Sequence, residues 1–148
     1  MYQLNDPRND TNRLIPSVYH EVAQVGSGLM YRITSIENFV KLTSFRSLPR
    51  PVKPVSITLF VNDPFMMQQN GGYKLTFIDD SWNVVRIEVS EKEANVVLSI
   101  SDLSSWWMGC VSLTQFVHYG RTSVNDYSAS DLDKWFKPHT KPICLTSF

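Results

Sequence analysis

The sequence predicts an α+β domain, an antiparallel or mixed sheet of about five strands covered by helices. Three observations predict it. Across residues 55–100, side chains alternate with a period of two, which puts one set on each face of a sheet. The alternating runs are joined by turn formers, Gln69-Asn70-Gly71-Gly72, Asp79-Asp80-Ser81 and Ser90-Glu91-Lys92-Glu93. On either side of this spine, apolar residues recur at i, i+3 and i+4, the spacing of helices with one apolar face.

Taken in order, residues 1–28 show no core pattern of their own. Asn5-Asp6-Pro7-Arg8-Asn9-Asp10 is turn-rich, Pro16 breaks any helix and Gly26-Ser27-Gly28 is flexible. The expectation is a linker or the end of a preceding domain, with the main domain over 29–148. Leu29-Met30-Tyr31-Arg32-Ile33 reads as a short strand. Thr34-Ser35-Ile36-Glu37 fits a capping box, opening a helix to about Phe45 with Ile36, Phe39 and Val40 on one stripe. Leu48-Pro49-Arg50-Pro51-Val52-Lys53-Pro54 is a stiff connector, because each proline removes a donor and fixes φ.

The spine itself predicts a four-stranded antiparallel meander. Its runs are centred on Ile57, Leu59 and Val61, on Tyr73, Leu75 and Phe77, on Val85, Ile87 and Val89, and on Val96, Leu98 and Ile100. The first link, through Asp63-Pro64-Phe65-Met66-Met67, is too long for a tight hairpin. It either tucks its three large apolar side chains into the core or forms a lid or interface loop. Three helices follow. One spans Asp102 to Met108 and ends at Gly109, one opens on the Ser112–Gln115 capping box and stops at Gly120, and one is capped by Ser130 and ended by Pro138. The tail from His139 to Phe148 reads as extended.

Composition excludes several classes. The 148 residues suit one domain with a sizeable core, and 14 basic residues balance 14 acidic ones, so charge predicts no nucleic-acid partner. No apolar run approaches the roughly 20 residues of a membrane span, and the polar N-terminus has no signal-peptide core, which predicts a cytoplasmic protein. Cys110 and Cys144, the only cysteines, would stay reduced there. With His118 and His139 they lack metal-ligand spacing, so no metal is expected. The carboxylate pairs Asp79-Asp80 and Asp131/Asp133 fall in a turn and at a helix start, where solvation and the helix dipole explain them. The acyl-CoA loop of the N-acetyltransferase fold needs Arg or Gln three residues ahead of its first Gly. Ala23 holds that place ahead of Gly26, so no cofactor is expected to bind this chain. Trp106-Trp107 sets two indoles a helical step apart. One is expected in the core, and the other at a pocket, partner or half-exposed surface.

Four pieces, in order, carry a family resemblance. They are Met30-Tyr31-Arg32-Ile33 with Ile36-Glu37-Asn38-Phe39, Asp63-Pro64 with Asn70-Gly71-Gly72-Tyr73-Lys74-Leu75, Asp102-Leu103 with Met108-Gly109, and Pro142-Ile143-Cys144 ending on Phe148. Together they resemble the sterol carrier protein-like C-terminal domain of N-acetyltransferases of the enhanced intracellular survival type. The chain departs from that pattern at Trp106-Trp107-Met108, where the family has Leu-Tyr-Leu, and at Gln69, where it has Trp. The resemblance implies upstream acetyltransferase domains that use acetyl-CoA, and a domain that shapes the substrate site and helps assemble oligomers. It also implies a role for the free α-carboxylate of Phe148 as general base. A carboxylate beside an amine can take its proton, although it is a weak base until desolvation raises its proton affinity. The rival readings are a free-standing carrier holding an apolar, lipid-like ligand in a tunnel lined by Phe65, Met66, Met67, Trp106 and Trp107, and a plain interaction module.

Overall fold

Alternating side chains become strands wherever one face has a core to enter. The computed structural model describes residues 32–43, 45 and 47–140. Its sheet contains β1 (Val55–Asn62), β2 (Gly71–Ile78), β3 (Ser81–Ile87), β4 (Val96–Ser99) and β5 (Ser123–Val124), in the spatial order β3-β2-β1-β4-β5. Ile57, Leu59, Val61, Tyr73, Leu75, Phe77, Val96 and Leu98 all point into the core. In β3 the inward residues are Trp82 and Val84, while Val85 stays exposed.

The sheet is mixed, which corrects the meander. β1–β2 and β2–β3 are antiparallel hairpin pairs, but β4 leaves β3 and returns to the other edge of β1, pairing parallel with Leu59 opposite Val96. Parallel neighbours need a long crossover, and the β2–β3 hairpin provides it. Asn95 guides the return: its side-chain oxygen accepts the Thr58 N–H at 2.8 Å while its own N–H donates to the Thr58 carbonyl at 2.9 Å. The fifth strand is Ser123–Val124, antiparallel to β4. The expected strand over 29–33 lies mostly outside the described residues, and its described part, Arg32 and Ile33, is not strand. The lead 1–28 and residues 141–148 lie outside them as well.

Four helices accompany the sheet: α1 (Ile36–Thr43), α2 (Ile100–Trp107), α3 (Leu113–His118) and α4 (Ala129–Phe136). Their starts are set by local chemistry. Ser35, not Thr34, caps α1, accepting the Asn38 N–H at 3.2 Å, because Ser35 directly precedes the first helical residue. α2 begins two residues before its expected start, since Ser99 accepts the Asp102 N–H at 3.1 Å and converts Ile100 from strand to helix. The Ser112–Gln115 capping box opens α3 as expected, and Gly120 follows it at φ +65°. α4 starts after Ser128 rather than Ser130. A 3-10 turn, Met67–Gln69, punctuates the β1–β2 loop.

α1 buries Ile36 and Val40, α2 buries Leu103, Trp106 and Trp107, and α4 buries Leu132 and Phe136. Phe136 is the hub of an aromatic cluster, with ring centroids 4.5 Å from Trp82, 5.1 Å from Phe45, 5.7 Å from Trp106 and 6.1 Å from Trp107. Edge-on and tilted contacts of this kind add to the gain from area burial. Among the described residues no helix is long and apolar enough to cross a membrane.

Candidate functional site

The loop after β1 holds two of the four buried polar side chains among the described residues, Asp63 and Gln69. Asp63 has no exposed side-chain surface. Its Oδ1 accepts the N–H groups of Phe65 and Met66, each at 2.9 Å, a local turn that an Asp before Pro favours. The Arg32 guanidinium reaches both carboxylate oxygens, at 2.6 and 2.7 Å. Burial pushes the Asp63 carboxyl up, but the two backbone donors and Arg32 outweigh it and hold the group below the usual carboxylate range.

The rest of the loop is pinned from below. Asn70 accepts the Asp63 N–H at 3.2 Å through its side chain, and Gln69 Oε1 accepts the Ile36 N–H at 3.4 Å. Tyr73 on β2 donates its hydroxyl to the Gln69 carbonyl at 2.8 Å. Arg86 on β3 donates to the carbonyls of Gln68 and Asn70 and lies over the Tyr73 ring, 5.9 Å from its centroid. Burial chiefly raises the Tyr73 phenol, with the charges of Glu37 and Asp63 adding and Arg86 opposing, so it stays protonated. Replacing Tyr73 with Phe is expected to cost about 1 kcal/mol, the net worth of one neutral hydrogen bond plus part of the cost of orphaning its acceptor. Urea denaturation checks it.

Above this base the loop presents apolar side chains outward. Phe65 is 83% exposed and Met67 70%, with Met66 half-buried. The Arg32 guanidinium lies 5.5 Å from the Phe65 ring centroid, flanking the exposed ring with charge. Of the two readings of this loop, the core-tucked one fails for Phe65 and Met67. Trp106 and Trp107 stand elsewhere. Both are buried, at 0% and 1% exposure, so of the three places expected for the second indole the half-exposed surface is corrected. Trp107 stacks on Phe39 at 5.5 Å and meets Phe45 edge-on at 5.4 Å; α2 is enclosed on both sides, so both indoles find core. The five residues named as a tunnel lining therefore divide between an exposed loop and an aromatic core. Phe148 lies outside the described residues.

The contacts of Arg86, Asp63 and Asp133 are not legible in the sequence, although Asp63 and Asp133 themselves stand in motifs named above. Arg86 follows Trp82 and Val84 at a spacing of two along β3, but unlike them it is exposed. Among the described residues no group of His, Cys, Asp and Glu could hold a metal ion. The arrangement at Asp63 has its charge neutralised and its donors satisfied, which suits holding a loop in shape rather than moving a proton.

Three comparisons bear on the family. A family model of the sterol carrier protein domain matches residues 36–145. No curated protein matches the chain. Among solved structures, a conserved protein of Enterococcus faecalis V583, described as a probable N-acyltransferase, is similar with a TM-score of 0.55 at 16% identity, over 74% of this chain and 26% of that one. A GCN5-related N-acetyltransferase from Anabaena variabilis gives 0.51 at 14% identity, over 62% and 23%. Eis1 from Mycobacterium abscessus gives 0.50 at 19% identity, over 64% and 23%. The chain thus spans about a quarter of the length of these structures, and the likeness is one of fold.

Proposed function

The chain belongs to the sterol carrier protein domain family, and from that membership we propose that it is the non-catalytic C-terminal domain of an acetyl-CoA-dependent N-acetyltransferase. The observation that carries this reading is the fold shared with one quarter of acetyltransferase-type structures, in which the greater part of the chain is something else. In this role the domain shapes the amine site, and acetyl-CoA binds the upstream domains rather than this one. The exposed Phe65 and Met67, on a loop fixed by Asp63, Arg32 and Arg86, suit an interface with those domains or with another subunit of an oligomer. The α-carboxylate of Phe148 is the proton acceptor of this reading, taking the proton that the amine must lose as it attacks the thioester. The enzyme would work in the cytoplasm.

The carrier reading is weaker, since Trp106 and Trp107, two of its five lining residues, are enclosed by Phe39, Phe45 and Phe136. The test is turnover. Incubated with acetyl-CoA and a panel of primary amines, the isolated chain is expected to release no coenzyme A above the uncatalysed rate, while the product of the complete gene releases it. Turnover by the isolated chain, or a complete product that is inactive and no longer than this chain, would overturn the reading.

A further inference from the structure

Helix α2 touches the chain at both ends of the described domain. In its second turn, the Ser104 hydroxyl accepts the N–H of Ile33 at 3.0 Å and donates to the Ile100 carbonyl at 2.7 Å. Ile33 is 3% exposed, so this backbone group has no water to turn to. At the other end, Gly109 leaves the helix at φ +77°, its N–H bonded to the Trp106 carbonyl at 2.9 Å. A Cβ on Gly109 would lie 2.8 Å from the Pro138 carbonyl oxygen and 3.2 Å from that of Thr140. Both are backbone atoms, so no side-chain rotation relieves the overlap; the exit segment itself has to move. That segment is held from its other side by Phe136 in the aromatic cluster and by the Lys137 N–H on the Asp133 carbonyl at 2.9 Å.

We propose that α2 is a common anchor for residues 32–33 and 138–140, and that Gly109 is the positioning residue that registers residues 138–140 against the segment entering at Arg32. The proposal rests on the reading of Phe148 as proton acceptor for its consequence, though not for its geometry. A terminal carboxylate works only if it arrives within hydrogen-bond reach of the amine, and a displacement of about 1 Å can cost on the order of a hundredfold in rate. With entry and exit on one short helix, the two cannot drift apart as the domain breathes. The absence of a side chain at Gly109 lets the exit pass directly against the end of that helix.

Spin labels at Thr34→Cys and Thr140→Cys, in a Cys110→Ser/Cys144→Ser background, read this register by double electron–electron resonance. All three exposed sites used here, Thr34, Ser123 and Thr140, accept a label at the surface. Adding Gly109→Ala is expected to move the mean 34–140 distance by about 2 Å or more, or to broaden its distribution at least twofold, while a Thr34→Cys/Ser123→Cys control pair stays as it was. Ser104→Ala, which keeps the glycine and removes the entry contact, is expected to broaden the 34–140 distribution as well. An unchanged 34–140 distribution in both variants, with the control intact, overturns the anchor. In the complete protein, Gly109→Ala is expected to lower kcat about tenfold or more with KM for acetyl-CoA unchanged. If deleting Phe148 lowers kcat and Gly109→Ala does not, the positioning role of Gly109 is wrong. If neither lowers it, the proton-acceptor reading fails, and the resonance distances alone decide the anchor.

Discussion

Replacing Asp133 with alanine is expected to destabilise the domain by about 3 kcal/mol. The Asp133 carboxylate on α4 accepts four hydrogen bonds. Three come from the start of α3, from the Leu113 N–H at 2.7 Å, the Thr114 N–H at 3.1 Å and the Thr114 hydroxyl at 2.7 Å; the fourth comes from the Trp106 indole at 2.9 Å. The Ser112–Gln115 capping box satisfies only the third N–H of α3, through the Ser112 hydroxyl at 3.1 Å. Asp133 supplies partners for the first two, so α4 completes the cap of α3 and ties both to α2. Alanine removes a cap, worth about 1 kcal/mol, and orphans a buried indole donor, at a further cost of about 1 to 3 kcal/mol. Asp133→Asn keeps the shape and one acceptor, and is expected to cost about half as much. Urea unfolding followed by tryptophan fluorescence measures both. An alanine variant within 0.5 kcal/mol of the parent, the scatter of ordinary surface substitutions, would show that the three helices are joined by apolar packing alone.

Asp133 also shows where the sequence is mute. The sequence places it with Asp131 at a helix start, and Asp131 does stand in the first turn of α4, meeting Lys134 at 2.6 Å on the surface. Nothing in the order of residues says that the second carboxylate caps a helix 20 positions earlier, because that pairing is made by packing. The same limit explains β4. Its alternation was legible, but alternation is blind to which edge a strand joins, and the choice was made by Asn95 meeting Thr58 across 37 residues. Ser123–Val124 is too short for any period to register. Local signals did better. The Ser112 box and the Gly109 and Gly120 stops fall where the sequence put them, because each is settled within four or five residues. Thr34 misled by one position only because two hydroxyl residues stand side by side. At the candidate site the Asp63-Pro64 turn was visible as a turn, and Phe65 and Met67 as candidates for exposure. The role of Asp63 was not visible, since its cation comes from Arg32, 31 residues away.

Replacing Arg32 with methionine is expected to cost about 2 kcal/mol at neutral pH, and the cost is expected to shrink as the pH falls. Breaking a fully buried pair by removing one partner costs about 3 to 5 kcal/mol, but the Arg32 head is 33% exposed, so water can approach the carboxylate left behind and the loss falls below that range. Methionine keeps most of the side-chain stem but loses the guanidinium that lies over the Phe65 ring. The sign of the pH effect follows from Asp63. In the parent its carboxyl is held below the unfolded value, so it adds stability above about pH 4 and that contribution is lost as the pH falls through the folded value. In the variant the Phe65 and Met66 N–H groups remain but the cation is gone, and burial opposes them with less to overcome. Its carboxyl therefore rises, and its ionised form adds less stability at neutral pH. Acidification then takes more from the parent than from the variant, and the gap closes. Urea midpoints for the two proteins at pH 7, 5 and 3.5 measure the gap directly. A difference that stays constant over that range would mean that Arg32 acts through its guanidinium over the Phe65 ring and not through its charge on Asp63. Asp63→Asn in the Arg32→Met background, which removes the buried charge while retaining an oxygen for the two backbone donors, is expected to recover part of the loss at pH 7 and less of it as the pH falls.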